Sequence, residues 1–140
     1  MAYSTRVNLN RAKLTQVQEA IADGLLHFGH EVALEAAARA PDATPYGVGL
    51  VDSWGAVAYV DGRKVGDISG DGKAVAKPRG VRVAKGLTML VGFSMPARFQ
   101  EFGTVNHGAQ PFFTPAVMGM QGNAASIIAE VSAPAIARIP

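Results

Sequence analysis

Apolar residues recur in steps of three and four from Leu14 through Val17, Ile21, Leu25 and Phe28 to Val32. That spacing follows the turn of a helix and puts the six side chains on one stripe. With Asn10 as a candidate N-cap, the pattern predicts a helix over about 11–39. Pro41 ends it, because the residue before a proline is pushed out of the α region.

After a loop, APDATPYGVG, the period changes. SWGAVAYV, the pair Asp61-Gly62 and RKVGDI read as a hairpin, since both central residues of a type I′ turn need positive φ and Asp-Gly accepts it. SGDGKAVAKPRG reads as a glycine-rich loop or the tip of an arm. VRVAKGLTMLVGF reads as one or two strands, with residues 88–93 apolar enough to lie centrally in a sheet. Thr114 as N-cap and Pro115 at the first helical position predict a second helix. Val117, Met120, Ala124, Ile127 and Val131 make its inner face, and Pro134 closes it. Residues 1–9 read as an extended arm or a frayed terminus.

Long helix, antiparallel strands, second helix: this order predicts one α+β domain over residues 1–140, with both helices on one face of a small antiparallel sheet and a hairpin arm protruding at 61–87. The other sheet face then lacks cover from its own chain, and in a ring a neighbouring copy could cover it.

Composition sharpens this picture. Only 17% of the 140 residues are charged, beside 49% apolar, where about 25% charged is usual. Burial of part of the surface against other subunits resolves the shortage, because permanent interfaces resemble a core cut in half. An Ala- and Gly-rich monomer is the other resolution. The net charge of +2 does not mark a nucleic-acid binder, but it is unevenly spread. Residues 61–87 carry Arg63, Lys64, Lys73, Lys77, Arg79, Arg82 and Lys85 against Asp61, Asp67 and Asp71, which leaves six basic and eight acidic residues elsewhere. Lys77, Arg79 and Arg82 are the candidate inter-subunit contacts. The chain has no cysteine, so disulfides and thiolate metal sites are excluded. It shows neither an export signal nor a membrane-length apolar run, and a cytoplasm-like compartment is expected.

Candidate chemistry is sparse. His27, His30 and Glu31 share a helical spacing that can hold a metal, yet no second ligand pair accompanies them, and His107 completes nothing. Asp67, Ser69, Asp71 and Gly72 begin like a calcium loop, but its twelfth position is Pro78. Gly72-Lys73 is followed by Ala74, which spoils a phosphate loop. No serine sits in a nucleophile elbow. Glu101, between Phe99 and Phe102, is the notable carboxylate: burial would raise its pKa unless a cation or backbone N–H groups hold it, and an anchoring role suits it better than acid catalysis. No enzyme activity and no cofactor are expected.

Four of the six phenylalanines fall in ARFQEFGTVNHGAQPFFTPA, residues 97–116. Ala97, Glu101, Phe102, Gly103 and Thr104, followed by Gln110, Pro111, Phe112, Phe113 and Pro115, resemble the signature of the tail-completion proteins of long-tailed bacteriophages, small head-to-tail joining (neck) proteins. Leu50, Asp52 and Ser53 resemble a shorter segment that precedes the first strand in that family. The resemblance implies a structural virion protein assembled in the host cytoplasm into a ring, expected to be a hexamer. It would join a head-side connector or stopper to the tail terminator or tail tube, with genomic DNA passing through the lumen without sequence-specific binding and no membrane involved. A tail terminator capping the tube is the alternative within this class. A nucleic-acid-binding module using the basic arm and Trp54 is the alternative from another class. In the motif itself, Gly103 can take positive φ while Pro111 and Pro115 stiffen the approach to the second helix. Phe99, Phe102, Phe112 and Phe113 are expected to form one cluster at this corner.

Overall fold

The structure, a computed structural model, describes residues 11–40, 53–73, 75, 81–83, 85–93, 101–103, 105 and 108–140. Helix α1 (Arg11–Arg39) is followed by strands β1 (Gly55–Val60), β2 (Arg63–Ser69) and β3 (Leu87–Gly92). Helix α2 (Phe113–Met120), a 3₁₀ turn (Gln121–Asn123) and helix α3 (Ala124–Ala137) complete the order. The strands make an antiparallel sheet in the order β2-β1-β3. α1 lies on the sheet, and α2 and α3 pack against α1. The fold is α+β.

α1 reaches the sheet through small residues. A Cβ on Gly29 would lie 2.9 Å from Met89 Sδ and 3.1 Å from Ala56 Cβ, so the absent side chain lets helix and strands approach. Of the predicted stripe, only Val32 is fully buried, Leu14 is exposed, and Val17, Ile21, Leu25 and Phe28 are half-buried. The reason is that α1 packs on more than one side. Gly24, five residues before Gly29, faces α3, and at about 100° per residue those two positions lie far apart around the helix. A single stripe cannot describe such a helix.

The central strand is β1, not the 88–93 run, which forms the edge strand β3. Ala56 and Ala58 face α1 while Val57 and Tyr59 point to the opposite side, and all four are buried. Burial on both faces defines a central strand more firmly than apolar content does. It also corrects the expectation of an uncovered second face, because Val57 is 1% and Tyr59 4% exposed within this one chain.

A bulge supplies part of that cover. The register slips between Ala58 and Tyr59, leaving Val65 as the extra residue of β2. Lys64 and Asp67, three apart, therefore share the face away from α1, with Nζ 2.6 Å from Oδ2. Lys64 Nζ donates to the Val75 carbonyl (3.1 Å), and the Val75 N–H donates to Asp67 Oδ2 (2.9 Å). The Val75 side chain is thereby seated over Gly55, where a Cβ would meet it at 2.9 Å. Part of the expected arm is thus held on the sheet: β2 is one of its strands and Val75 lies over its second face. Residues 76–80 and 84 lie outside the described residues.

The Asp61-Gly62 turn has φ of 50° and 82°, both left-handed, as a type I′ turn requires. The second helix departs from its expected bounds. It starts at Phe113, with Thr114 and Pro115 inside the first turn; the 3₁₀ turn interrupts it; and it continues through Pro134 to Ala137. Gly119 and Gly122 weaken the helix where it breaks. Pro134 is tolerated because it is exposed and lies in the final turn, where one backbone bond is lost and its carbonyl partner can reach water.

Candidate functional site

The feature with the most defined chemistry is the corner that starts α2. Its N-cap residue, Phe112, has no capping side chain, so the free N–H groups of the first turn need an acceptor from elsewhere. Glu101 provides it. Oε2 accepts from the N–H groups of Phe112 and Phe113, both at 2.9 Å, and Oε1 accepts from the N–H of Thr114 at 2.8 Å. The carboxylate also sits at the positive end of the helix. Partial burial pushes the Glu101 carboxyl up, but the Thr114 hydroxyl and the backbone N–H groups of Phe113, Phe112 and Thr114 outweigh it and hold the group below its ordinary range.

Capping from eleven residues away ties the two halves of the quoted segment together. Gly103, with φ of 75°, supplies the left-handed turn just after the carboxylate. On the other side of the corner, Phe112 is completely buried in a cluster with Ala36, Ala40 and Ala116. Phe93 meets Phe112 edge-to-face at 5.2 Å and Phe113 at 5.8 Å. Strand end, α1 and α2 are therefore joined in one apolar knot.

The expected aromatic set is corrected at one position. Phe102 is 74% exposed, outside the cluster, and Phe93 takes part instead. With Glu101 turned onto the helix start, its neighbour Phe102 is left to solvent, as is Val105. The sequence signal for Phe93 and for Ala36 and Ala40 was available: an aromatic at a strand end, and two small residues one helical turn apart. Gln110 and Pro111 are exposed, and Pro115 is half-buried. Ala97, Phe99 and Thr104 lie outside the described residues, as do Lys77, Arg79 and His107, while Arg82 is exposed.

Two of the remaining candidates, His30 and His27, have structural partners. His30 stacks on Trp54 with ring centroids 5.1 Å apart. His27 Nε2 lies 3.5 Å from Glu130 Oε2 on α3. Among the described residues no three His, Asp or Glu groups converge as metal ligands. The calcium-like stretch forms turns: Asp71 Oδ1 accepts the Lys73 N–H (3.0 Å), and Ser69 Oγ donates to the Lys73 carbonyl (2.7 Å). The alternating Asp and Ser residues serve the backbone there, as they do in Asx-turns. No helix among the described residues is long and apolar enough to cross a membrane.

No protein-family model, characterised protein or solved structure matches this chain.

Proposed function

We propose that the protein is a structural component of the neck of a long-tailed phage or prophage, a tail-completion protein that acts as a ring between head connector and tail. The observation that carries this reading is the segment 97–116, whose residues resemble the signature of that family. The geometry gives the segment a physical purpose that suits such a role. Glu101 and Phe112 fix a rigid corner, and Phe102 and Val105 stand exposed next to it. Exposed apolar groups on a rigid support are what a subunit contact uses. No chemical step is needed for joining, and neither enzyme activity nor a cofactor belongs to this reading.

The experiment is deletion of the gene from its phage. Filled heads and separate tails of normal length are expected to accumulate, and added purified protein is expected to restore joining. Tails of uncontrolled length would assign the protein to the tail terminus instead.

A further inference from the structure

We infer that Asp71-Gly72 is a site of spontaneous main-chain modification, where Asp71 closes on the Gly72 nitrogen to a succinimide and reopens as isoaspartate, and that the fold spares Asp23-Gly24 and Asp61-Gly62, the other Asp-Gly pairs of the chain. Glycine after aspartate favours this reaction, because no Cβ hinders approach to the backbone nitrogen. The Gly72 nitrogen bonds to the side-chain carboxyl carbon of Asp71, and the carboxyl OH leaves as water with the amide proton. Water then adds to either carbonyl of the ring. Cleavage at the side-chain carbonyl restores aspartate, and cleavage at the main-chain carbonyl leaves the backbone running through the former side chain.

The pairs differ in what must open before the nitrogen can be reached. Asp23 and Gly24 lie inside α1, where Gly24 is buried against Ile128 of α3 and its N–H belongs to the helical ladder. Asp61 has φ of 50° in its type I′ turn, where ψ is about 30°. That conformation leaves Cβ nearly opposite the following nitrogen across the Cα–C bond. Asp61 is also tied to Gly86: its N–H donates to the Gly86 carbonyl (3.0 Å), and its Oδ1 accepts the Gly86 N–H (2.8 Å). Turning its carboxyl toward Gly62 would break both bonds and distort the turn that sets the register of β1 and β2.

Asp71 carries none of these restraints. It is exposed, in the turn beyond Gly55↔Ser69, the last pair of β1 and β2. Its peptide is held locally and loosely: the Gly72 N–H donates to the Ser69 carbonyl across 3.4 Å. A Cβ on Gly72 would meet nothing within 4 Å, so the chain has room to turn. Asp71 Oδ1 accepts the Lys73 N–H at 3.0 Å, which folds the carboxyl back over the Gly72 peptide as in an Asx-turn. The same Lys73 N–H holds the Asp71 carboxyl below its ordinary range. The ionised form is the poorer electrophile, so the change is slow. Its product adds one atom to the main chain between β2 and Val75, the residue seated over Gly55.

The full chain is held at physiological temperature in neutral buffer for several weeks, once folded and once in urea, and then digested. Isoaspartyl peptides are separated by chromatography from aspartyl peptides of equal mass, and are labelled by a carboxyl methyltransferase that takes isoaspartate and S-adenosylmethionine. In urea, where the local sequence alone decides, all the Asp-Gly pairs are expected to react to similar extents. In the folded protein, isoaspartate at Asp71 is expected to exceed that at Asp23 and Asp61 by about tenfold or more, because each hydrogen bond that must open first lowers the rate by its own factor. Asp71→Glu, whose larger ring closes far more slowly, should remove the signal. Equal extents at these pairs in the folded protein would overturn the inference. So would a folded protein unmodified at Asp71 when the urea sample is modified there, or a signal that persists in Asp71→Glu. No phage is involved, and failure here leaves the neck reading untouched.

Discussion

At the scale of single residues, Glu101 and Phe112 hold the corner by different physics, and each makes its own prediction. Phe112 is fully buried among alanines and aromatic edges. Phe112→Ala removes a large apolar group and leaves a cavity that alanine neighbours cannot fill, so a loss of about 3–5 kcal/mol is expected in chemical denaturation. Glu101 acts through charge and three accepted N–H bonds. Glu101→Gln keeps the shape but points N–H against N–H, and the expected loss near neutral pH is about 0.5–2 kcal/mol, the range for a helix cap. The folded-state pKa is depressed below that of the unfolded carboxyl, which titrates near about 4.3. The stabilisation is therefore complete above that value and is lost as pH falls through the folded pKa. Denaturation of both proteins from pH 7 down to pH 2 should show their stabilities converging on the acid side. Flanking phenylalanines made Glu101 legible in the sequence as an anchored carboxylate. The helix start it caps was not legible, because Thr114 and Pro115 look like a local cap and the true acceptor comes from across a loop.

At the scale of elements, the close crossing of α1 and α3 depends on Gly24. A Cβ there would lie 2.6 Å from the Ile128 carbonyl oxygen and 2.9 Å from its Cγ2, so the helices must part to admit it. Ser132, buried beside this crossing, donates its hydroxyl to the Ile128 carbonyl at 2.8 Å. Gly24→Ala is expected to cost about 1–3 kcal/mol through overpacking, although alanine is the better helix former. Gly122→Ala, with nothing near its added methyl, should be neutral or slightly stabilising. Thermal melts of the two variants separate packing from propensity. The same crossing explains what could be read from the sequence about the elements. A long helix and a hairpin were plain from periodicity and from Asp61-Gly62, since local chemistry decides both. Strand order and the buried faces of α1 were not plain, because contacts between segments distant in the chain decide them and alanine and glycine carry no hydrophobic pattern.

At the scale of the whole molecule, charge decides the last prediction. The stretch 61–87 holds seven basic and three acidic residues, and the remainder holds six basic and eight acidic. Within the stretch, Lys64 is engaged with Asp67, while Arg63, Lys73, Arg82 and Lys85 are exposed. On α1, Glu19 and Asp23 are exposed one helical turn apart and border the same cleft as Arg63 and Lys64 of their own chain, so acidic and basic surface already face each other there. In the ring proposed for this protein, such a distribution would set register and speed docking between the basic stretch of one subunit and acidic surface on a neighbour. Under the proposed neck role, contact with DNA in the lumen is the competing use, but strong phosphate binding would hold back a genome passing through the ring. Replacing Lys77, Arg79 and Arg82 together with Ser is therefore expected to weaken ring or neck assembly and leave the monomer folded. Circular dichroism should be unchanged, while native mass spectrometry and tail-binding assays show fewer assembled copies. The residual assembly should also be less sensitive to salt than that of the unaltered protein, because fewer ionic contacts remain to be screened. Normal assembly combined with loss of DNA from finished particles would move these three residues from the subunit contact to the lumen wall.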